Sequence, residues 1–353
     1  MTIGAFAILE VNLWFPSGAH LISMVDNTLG KPAKQLTWIV YLLLLYSALS
    51  AYLSGMGDII HGLLQSIHIV LPRSITTLIA LLILGGVVSR GVGTVDVVNR
   101  SLMSIKLFSY FVLVFAVASH ISLPNLVEGK YVVHTTALMV IITSFAFAFI
   151  VPTLRAYLNS DIPKLKKVIL WGSLSPLIIY LIWTSCIQGM FTRTGDLGLI
   201  AISHASDPNS LLMKGITTLV NNTFLSDFAK LFMSICMVTS FLGVSMGLTD
   251  FIADGLQYGK KGIEGAKILA MTFIPPFVLV LFDPGIFIKA LSYVGFFCVY
   301  LLILLPVAML YYGRYRKSYE GVVIVPGGKK LLIIVGIIGI LLLLFQIIAE
   351  FIH

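Results

Sequence analysis

The segment from Thr143 to Pro152 combines the residue types of a membrane helix that is interrupted to bind a solute. Its three phenylalanines alternate with alanines, a spacing that lines one side of an extended stretch but not one face of a helix. Pro152 removes a backbone donor and disturbs the turn before it. Hydroxyls and small residues around such a break leave backbone groups free to face a substrate. The alternative is an ordinary spanning helix with a proline kink and lipid-facing phenylalanines.

Lys106 is a second candidate, because it places a charge inside an apolar run. A charge in a spanning segment is costly and is a functional hypothesis by default. Lys106 follows Arg100 by six residues, which puts it about 9 Å along a helix from the charged end of the run. The alternative is snorkelling, in which the four-carbon stem returns the ammonium to the interface.

Thr239 and Ser240 form a third candidate, in a run that ends near Asp250. They lie about ten residues, or roughly 15 Å, from Asp250, a depth that an inward-reaching Lys106 could meet. Gly243 and Gly247 follow at the Gly-x-x-x-Gly spacing that permits close helix approach. Bonds from the hydroxyls to their own helix, and glycines used only for packing, are the alternatives.

The elements that must position these residues are membrane helices. The chain has 353 residues, of which 58% are apolar and 11% charged, and its mean hydropathy is +1.02. This composition excludes soluble and disordered proteins, and the long continuous apolar runs disfavour an outer-membrane barrel. We predict an all-α polytopic membrane protein with a short N-terminal fragment, Met1–Trp14, and nine spans. The predicted spans are Leu36–Met56, Arg73–Ser89, Leu102–Ile121, Thr135–Tyr157, Val168–Met190, Phe224–Ile252, Lys267–Phe282, Gly285–Tyr312 and Leu331–Ile352.

The basic residues predict the orientation. When the loops are assigned alternately to the two sides, sixteen of the 23 lysines and arginines fall on one side and four on the other. The basic side faces the cytoplasm, so the C-terminus faces outside. The Phe191–Asn222 stretch then lies outside, with short helices on the membrane surface. Met1–Trp14 would start midway through the bilayer, where its first N–H groups have no partner, and this predicts missing upstream sequence.

The sequence offers no enzyme, metal or cofactor motif. Its three cysteines lie in apolar runs and have the character of small buried hydrophobes. Cys-x-x-Cys and His-x-x-x-His pairs and Walker motifs are absent from the sequence. The net charge of +8 fits basic cytoplasmic loops, so no nucleic-acid partner is predicted. We expect no catalytic residues, no metal and no cofactor.

Several short motifs, in their order and spacing, together resemble one family. They are Leu9–Val11, Leu29–Gly30, Ser50–Gly55, Asn99–Arg100 with Lys106, Thr143–Pro152, Thr239–Val244, Asp250–Asp254 and Phe273–Pro276. In these the chain resembles the aromatic amino acid permease family (tyrosine- and tryptophan-specific) of the amino acid–polyamine–organocation superfamily. The resemblance implies a leucine-transporter-like inverted repeat of eleven helices. Residues 1–353 would then be one transporter domain that lacks its first helix.

The resemblance also implies a function. It is that of a secondary transporter in the bacterial inner membrane that imports tyrosine or tryptophan, driven most simply by protons. It assigns substrate binding to Thr143, Ser144, Phe145, Ala146 and Phe147. Ala146 and Ala148 stand where the family tends to have glycine or a small polar residue.

The superfamily fold has a cation site between its first, fifth and eighth helices. By this resemblance Lys106, Thr239 and Ser240 form two of its three walls and would couple transport to the proton. The partners expected are the amino acid, the proton and the lipid bilayer. The alternative function is a transport-inactive remnant, or a helical subunit of a complex.

Overall fold

The structure, a computed structural model, describes residues 1–17, 19–127, 135–205, 208–220, 223–259 and 261–352. Throughout these ranges the regular structure is helical, and the predicted all-α class is confirmed. The α-helices are α1 (Thr2–Leu13), α2 (Leu21–Leu29), α3 (Lys31–Ser66), α4 (Arg73–Ser89), α5 (Val92–Ala118), α6 (Leu123–Val127), α7 (Thr135–Ser144), α8 (Val151–Tyr157), α9 (Ile162–Met190), α10 (Leu199–His204), α11 (Pro208–Val220), α12 (Thr223–Leu256), α13 (Gly262–Phe282), α14 (Phe287–Val299), α15 (Leu305–Tyr315) and α16 (Gly328–Ile352). A 3-10 helix, Ala146–Ile150, joins α7 to α8, and a π-helical segment, Tyr300–Leu304, joins α14 to α15.

Eight helical stretches of the described chain are long and apolar enough to cross a membrane. Two further apolar helices are shorter, α1 with 12 residues and α4 with 17. These ten elements correspond to the nine spans and the fragment expected from the sequence, and α4 has the predicted bounds. The stretches long enough to span are Lys31–Gln65, Val92–Ala118, Thr135–Tyr157, Ile162–Met190, Asp227–Leu256, Gly262–Phe282, Phe287–Tyr315 and Gly328–Ala349.

Helix α5 starts well before its predicted bound. It begins at Val92, ten residues before the expected start at Leu102. Gly91 adopts φ 92°, a left-handed conformation that glycine tolerates, and so ends the connection from α4 at that point. Asp96 and Arg100 then form an exposed pair four residues apart, 2.8 Å between Oδ2 and Nη2, on the first turns. Charged residues therefore extend the helix beyond its apolar run instead of ending it.

The described chain forms two compact units. The first unit comprises Met1–Leu44, Val133–Ile178 and Leu291–His353. Its central element is α1, which contacts α15, α8, the 3-10 helix and the π segment. Gly4 of α1 lies directly against the Leu302 carbonyl and leaves no room there for a Cβ. Pro306 has no N–H to donate to that carbonyl four residues earlier, so the glycine and the proline explain the close approach together.

A buried ion pair fastens the other end of α1. Glu10 is 1% exposed, and both of its carboxylate oxygens accept a hydrogen bond from Arg314 of α15 at 2.6 Å. The backbone N–H groups of Ile324 and Val325 donate to Glu10 Oε2 at 2.7 and 2.9 Å. Arg314 donates in turn to the Val325 carbonyl. One carboxylate thus joins α1, α15 and the connection before α16.

Arg155 of α8 satisfies the last carbonyls of α1. Its Nη1 donates to the carbonyls of Asn12 and Phe15 and to Asn12 Oδ1, and its Nε donates to Ser160 Oγ. A helix C-terminus carries unpaired carbonyls and partial negative charge, so a guanidinium suits both. The arginine therefore joins α8 to the C-terminal end of α1, and the 3-10 helix that precedes α8 is held beside α1 as well.

The second unit comprises Leu45–Val132 and Ile179–Ala290. Within it α12 packs along α5 and also contacts α13 and α4. The rings of Phe241 and Phe273 stack, and the Tyr46 hydroxyl donates to the Met271 carbonyl at 2.8 Å. These contacts hold α3, α12 and α13 together through one aromatic pair and one hydrogen bond.

Short helices occupy part of the Phe191–Asn222 stretch. Residues 206, 207, 221 and 222 lie outside the described residues. Ile202 of α10 and Ile216 of α11 are buried in one apolar cluster with Val117 of α5 and Phe191. The position of this stretch outside the membrane stays a prediction.

The Glu10 site generates a stability prediction. Glu10→Gln leaves the Arg314 guanidinium buried without a counter-charge, so we expect a loss of about 3–5 kcal/mol of unfolding free energy. Thermal unfolding of the purified protein in detergent measures this loss.

Asp227→Asn is the matched control. Asp227 pairs with Lys230 at 3.4 Å, and both side chains are more than half exposed. Exposed pairs contribute about 0–1 kcal/mol, so this variant should unfold close to the unaltered protein. Equal losses in the two variants would contradict the role given to Glu10.

Candidate functional site

The predicted break lies between α7 and α8. Helix α7 ends at Ser144, and Phe145 takes φ −111° and ψ 23°, outside helical values. Its N–H donates to the Ile142 carbonyl three residues back, at 3.1 Å. The 3-10 helix follows, and Pro152 occupies the first turn of α8, where its missing donor costs nothing. The change from α to 3-10 and back to α is what interrupts this span.

The interruption is tightly wound and not extended, which changes where the aromatic side chains lie. In a 3-10 helix, side chains three residues apart eclipse each other. Ala146 and Phe149 therefore share one face, while Phe147 shares another with Ile150, which is 50% exposed. The three phenylalanines do not line one side, because alternate residues of a 3-10 helix point in different directions. Ala148 is fully buried behind them.

The two hydroxyls before the break bond to carbonyls. Thr143 Oγ1 lies 3.0 Å from the Met139 carbonyl of its own helix and 3.0 Å from the Leu291 carbonyl of α14. Ser144 Oγ donates to the Val140 carbonyl, and its side chain is on the exposed side of α7. Gly295 of α14 lies against the Met139 carbonyl with no room for a Cβ. Thr143 thus anchors the end of α7 to α14.

An aromatic residue that the sequence analysis did not single out lies beside the break. The ring of Tyr41, in the first half of α3, is 5.1 Å from the ring of Phe149, centroid to centroid, and tilted by 50°. Tyr41 also lies near Cys298 of α14. Tyr41 lies in an apolar run with no motif around it, so only the three-dimensional contact distinguishes it.

Lys106, Thr239 and Ser240 lie in the second unit, on α5 and α12. The Tyr110 ring lies 6.3 Å from the Phe232 ring, and Leu113, further along α5, clusters with Ala229, earlier on α12, so the two helices run antiparallel. In that register Lys106 lies near Cys236. Thr239 lies one turn beyond Cys236 on α12. A long side chain leans toward the N-terminus of its own helix, so in an antiparallel pair the Lys106 side chain leans toward the level of Thr239.

The polar groups of this pair do not form a closed network. Thr239 Oγ1 donates to its own helix, 2.9 Å from the Ile235 carbonyl and 3.1 Å from that of Cys236. No hydrogen bond or ion pair joins Lys106 to any residue that the structure describes. Ser109, one turn after Lys106, is 0% exposed, and its Oγ has no partner within the described ranges. Its spacing of three residues from Lys106 is the signal that could have drawn attention to it.

The Gly243–Gly247 spacing does not serve close packing within the described chain. A Cβ at either glycine would meet no atom within 4 Å. Both lie on the exposed side of α12, while its buried side packs on α13 and α4. The packing interpretation of these glycines is therefore wrong for the described residues.

Among the residues that the structure describes, no three His, Cys, Asp or Glu side chains come together as metal ligands. The chemistry available at these positions is that of backbone groups, hydroxyls, aromatic rings and one ammonium.

Comparison with known proteins supplies the family. Residues 1–346 match the model of the tryptophan/tyrosine permease family. Tyrosine-specific transport system 1 of Haemophilus influenzae is 28% identical over 346 residues, which cover 97% of this chain and 84% of that protein. The tryptophan-specific transport protein of the same organism is 29% identical, covering 98% and 85%. Glutamine transporter 2 of Aliivibrio fischeri is 26% identical, covering 92% and 82%.

Proposed function

Because the chain belongs to the tryptophan/tyrosine permease family, we propose that it imports tyrosine or tryptophan across the bacterial inner membrane by proton symport. Family membership makes the chain a multi-pass membrane transport protein and not an enzyme. The identity of the amino acid, the direction of transport and the coupling to protons are the proposal. Residues 1–353 act in it as one transporter domain.

The interrupted helix carries this proposal. In a chain of a permease family, an irregular backbone inside a spanning segment is tolerated where it is buried in protein or lines a cavity. Where an α-helix changes to a 3-10 helix and back, some N–H and C=O groups leave the regular pairing of the α-helix and can face a polar solute. Thr143, Ser144, Phe145, Ala146 and Phe147 are therefore proposed to border the substrate, with backbone groups for its polar end. Ala146 leaves room on its face of the 3-10 helix for the substrate to approach.

The names of the relatives support the substrate class. Two of the three relatives described above are named for tyrosine or tryptophan, and one for glutamine. An aromatic ring fits the phenylalanine-rich break better than an amide does, because a buried amide without a hydrogen-bond partner is costly. The aromatic amino acids are thus favoured over glutamine.

Lys106 is proposed to carry the proton. An amine that loses contact with water is less stable charged than neutral, so exclusion of water favours release of its proton. When water returns, the neutral amine takes up one proton again. The hydroxyls of Thr239 and Ser240 can accept from the ammonium and donate to the amine, so they suit both states. The unpartnered Ser109 hydroxyl, one turn away, supports a polar site at this depth.

Uptake of labelled tyrosine and tryptophan into proteoliposomes tests the substrate. Ala146→Leu fills the space beside the 3-10 backbone, and overpacking costs about 1–3 kcal/mol, so uptake should fall by about fivefold to more than a hundredfold. Ala156→Leu, on the exposed side of α8, is the control and should transport normally. Unchanged uptake by the Ala146 variant would remove the break from the binding site. An inactive remnant or a subunit would give no uptake in the unaltered chain.

Lys106→Arg tests the coupling. Arginine stays protonated at working pH, so accumulation driven by a pH gradient should vanish while exchange of bound substrate persists. A gradient of one pH unit can drive about tenfold accumulation with one proton per amino acid. If Lys106 instead snorkels to the interface, Lys106→Arg should leave accumulation nearly unchanged. Lys230→Arg, at an exposed lysine of α12, is the control. Normal accumulation by the Lys106 variant would exclude it from coupling.

Cysteine labelling tests the orientation. In a chain without native cysteines, Asn209→Cys should react with an impermeant reagent from outside. Ser318→Cys, between α15 and α16, should react only from the cytoplasmic side, because the flanking loops carry the excess of basic residues. Labelling of both positions from outside would overturn the orientation, and with it the external C-terminus.

A further inference from the structure

We propose that the connection between α15 and α16, together with the first turn of α16, binds the head group of an anionic phospholipid whose acyl chains lie along the exposed face of α16. The basic residues of this site, here called the basic cluster, are Arg316, Lys317, Lys329 and Lys330. Residues 316–330 contain a single acid, Glu320. None of these residues has a part in the proposed transport.

The connection folds back on the end of α15 and so gathers the basic cluster. Lys317 Nζ donates to the Asn27 carbonyl, near the end of α2, at 2.7 Å. The ammonium of Lys329, at the start of α16, lies 5.6 Å from the centroid of the Tyr311 ring in α15. The Tyr311 and Tyr315 rings are themselves 5.4 Å apart. The bases at the two ends of the connection therefore both lie beside the C-terminal end of α15.

Much of the charge in this cluster has no partner within the chain. Arg316 and Lys330 are exposed, and neither side chain forms a hydrogen bond or an ion pair with any residue that the structure describes. Lys329 is exposed as well, with its ammonium over an aromatic ring. By contrast, three other bases lie 2.7 or 2.8 Å from an aspartate oxygen; they are Lys34, Arg100 and Lys164. A phosphodiester group supplies the missing negative charge, and its oxygens accept hydrogen bonds from lysine and arginine.

The face of α16 next to the cluster favours an amphiphile over a soluble anion. One side of α16 packs on the protein, since Leu332 is 1% exposed and Gly339 has no room for a Cβ beside the Leu304 side chain. Lys330 lies on the opposite side, where exposed apolar residues follow it at helical spacing: Ile334, Ile337, Ile338 and Leu341. Because Gly328–Ala349 is long and apolar enough to cross a membrane, Lys330 lies where a span meets the bilayer surface. A cation at that surface followed by an apolar strip matches a head group followed by acyl chains.

Native mass spectrometry of the purified full chain in detergent tests this site, with phosphatidylglycerol and phosphatidylcholine of identical acyl chains as probes. Only the first has a net negative head group, so we expect the unaltered protein to retain it in preference. A base near a membrane surface contributes about fivefold to the attraction of anionic lipid. The combined variant Arg316→Gln, Lys329→Gln and Lys330→Gln should therefore lower the preference by about tenfold or more.

The matched control combines Arg100→Gln, Lys34→Gln and Lys164→Gln. It also removes one arginine and two lysines, but each of these already has an aspartate partner. This variant should keep the full preference for phosphatidylglycerol. Thermal unfolding without added lipid should be close to that of the unaltered protein for both combined variants, because all six side chains are at the surface. Equal losses of preference in the two variants would attribute it to overall charge and overturn the site.

Three further results would overturn the inference. The first is equal retention of the two lipids by the unaltered protein, a measurement that does not depend on the folding of any variant. The second is displacement of phosphatidylglycerol by an equal concentration of glycerol 3-phosphate, which would make the site one for a soluble anion. The third is a dimer that forms without lipid and excludes phosphatidylglycerol, which would assign the exposed face of α16 to a second copy of the chain.

Discussion

The first unit depends on a carboxylate that has no access to water. Glu10 lies inside an apolar helix, and it is stable there because its oxygens accept from one guanidinium and two backbone N–H groups. A buried charge of this kind requires that every partner be in place at once. The positions of α15 and of the connection before α16 therefore follow from the position of α1. Arg155 extends the same dependence to α8, and α8 fixes one end of the 3-10 helix.

Satisfaction of the backbone explains the remaining irregular features of this unit. The 3-10 and π segments each adjoin a proline, Pro152 and Pro306, which cannot donate to the preceding turn. Gly4 of α1 lies against the Leu302 carbonyl of the π segment. The last turn of α7, just before the 3-10 helix, is joined to α14 by the bond from Thr143 to the Leu291 carbonyl. Irregular backbone in a spanning segment is stable only where other parts of the protein pack against it, so each irregular segment depends on the residues around it.

Much of this fold can be predicted from local sequence patterns. Apolar runs gave the helices, and α4 has the predicted ends because Pro72 precedes it and Arg90 follows it. Pro152 indicated the break. The sequence could not predict the type of the break, because alternating phenylalanines are compatible with an extended stretch and with a 3-10 helix. Only the 3-10 helix places Phe149 beside Tyr41. Contacts between residues distant in sequence could not be predicted either, since nothing near Glu10 indicates Arg314 as its partner. The Gly243–Gly247 spacing predicts the close approach of a second helix, but no described residue approaches these glycines.

The separation of Glu10 and Arg314 along the chain has a consequence for biogenesis. They are 304 residues apart, so at ~5–20 residues per second the ribosome adds the arginine roughly 15–60 s after the glutamate. Throughout that interval the carboxylate lacks its native partner, the Arg314 guanidinium. A lone carboxylate is expelled from hydrocarbon or takes up a proton. Helix α1 therefore cannot reach its final buried position until α15 has been synthesised.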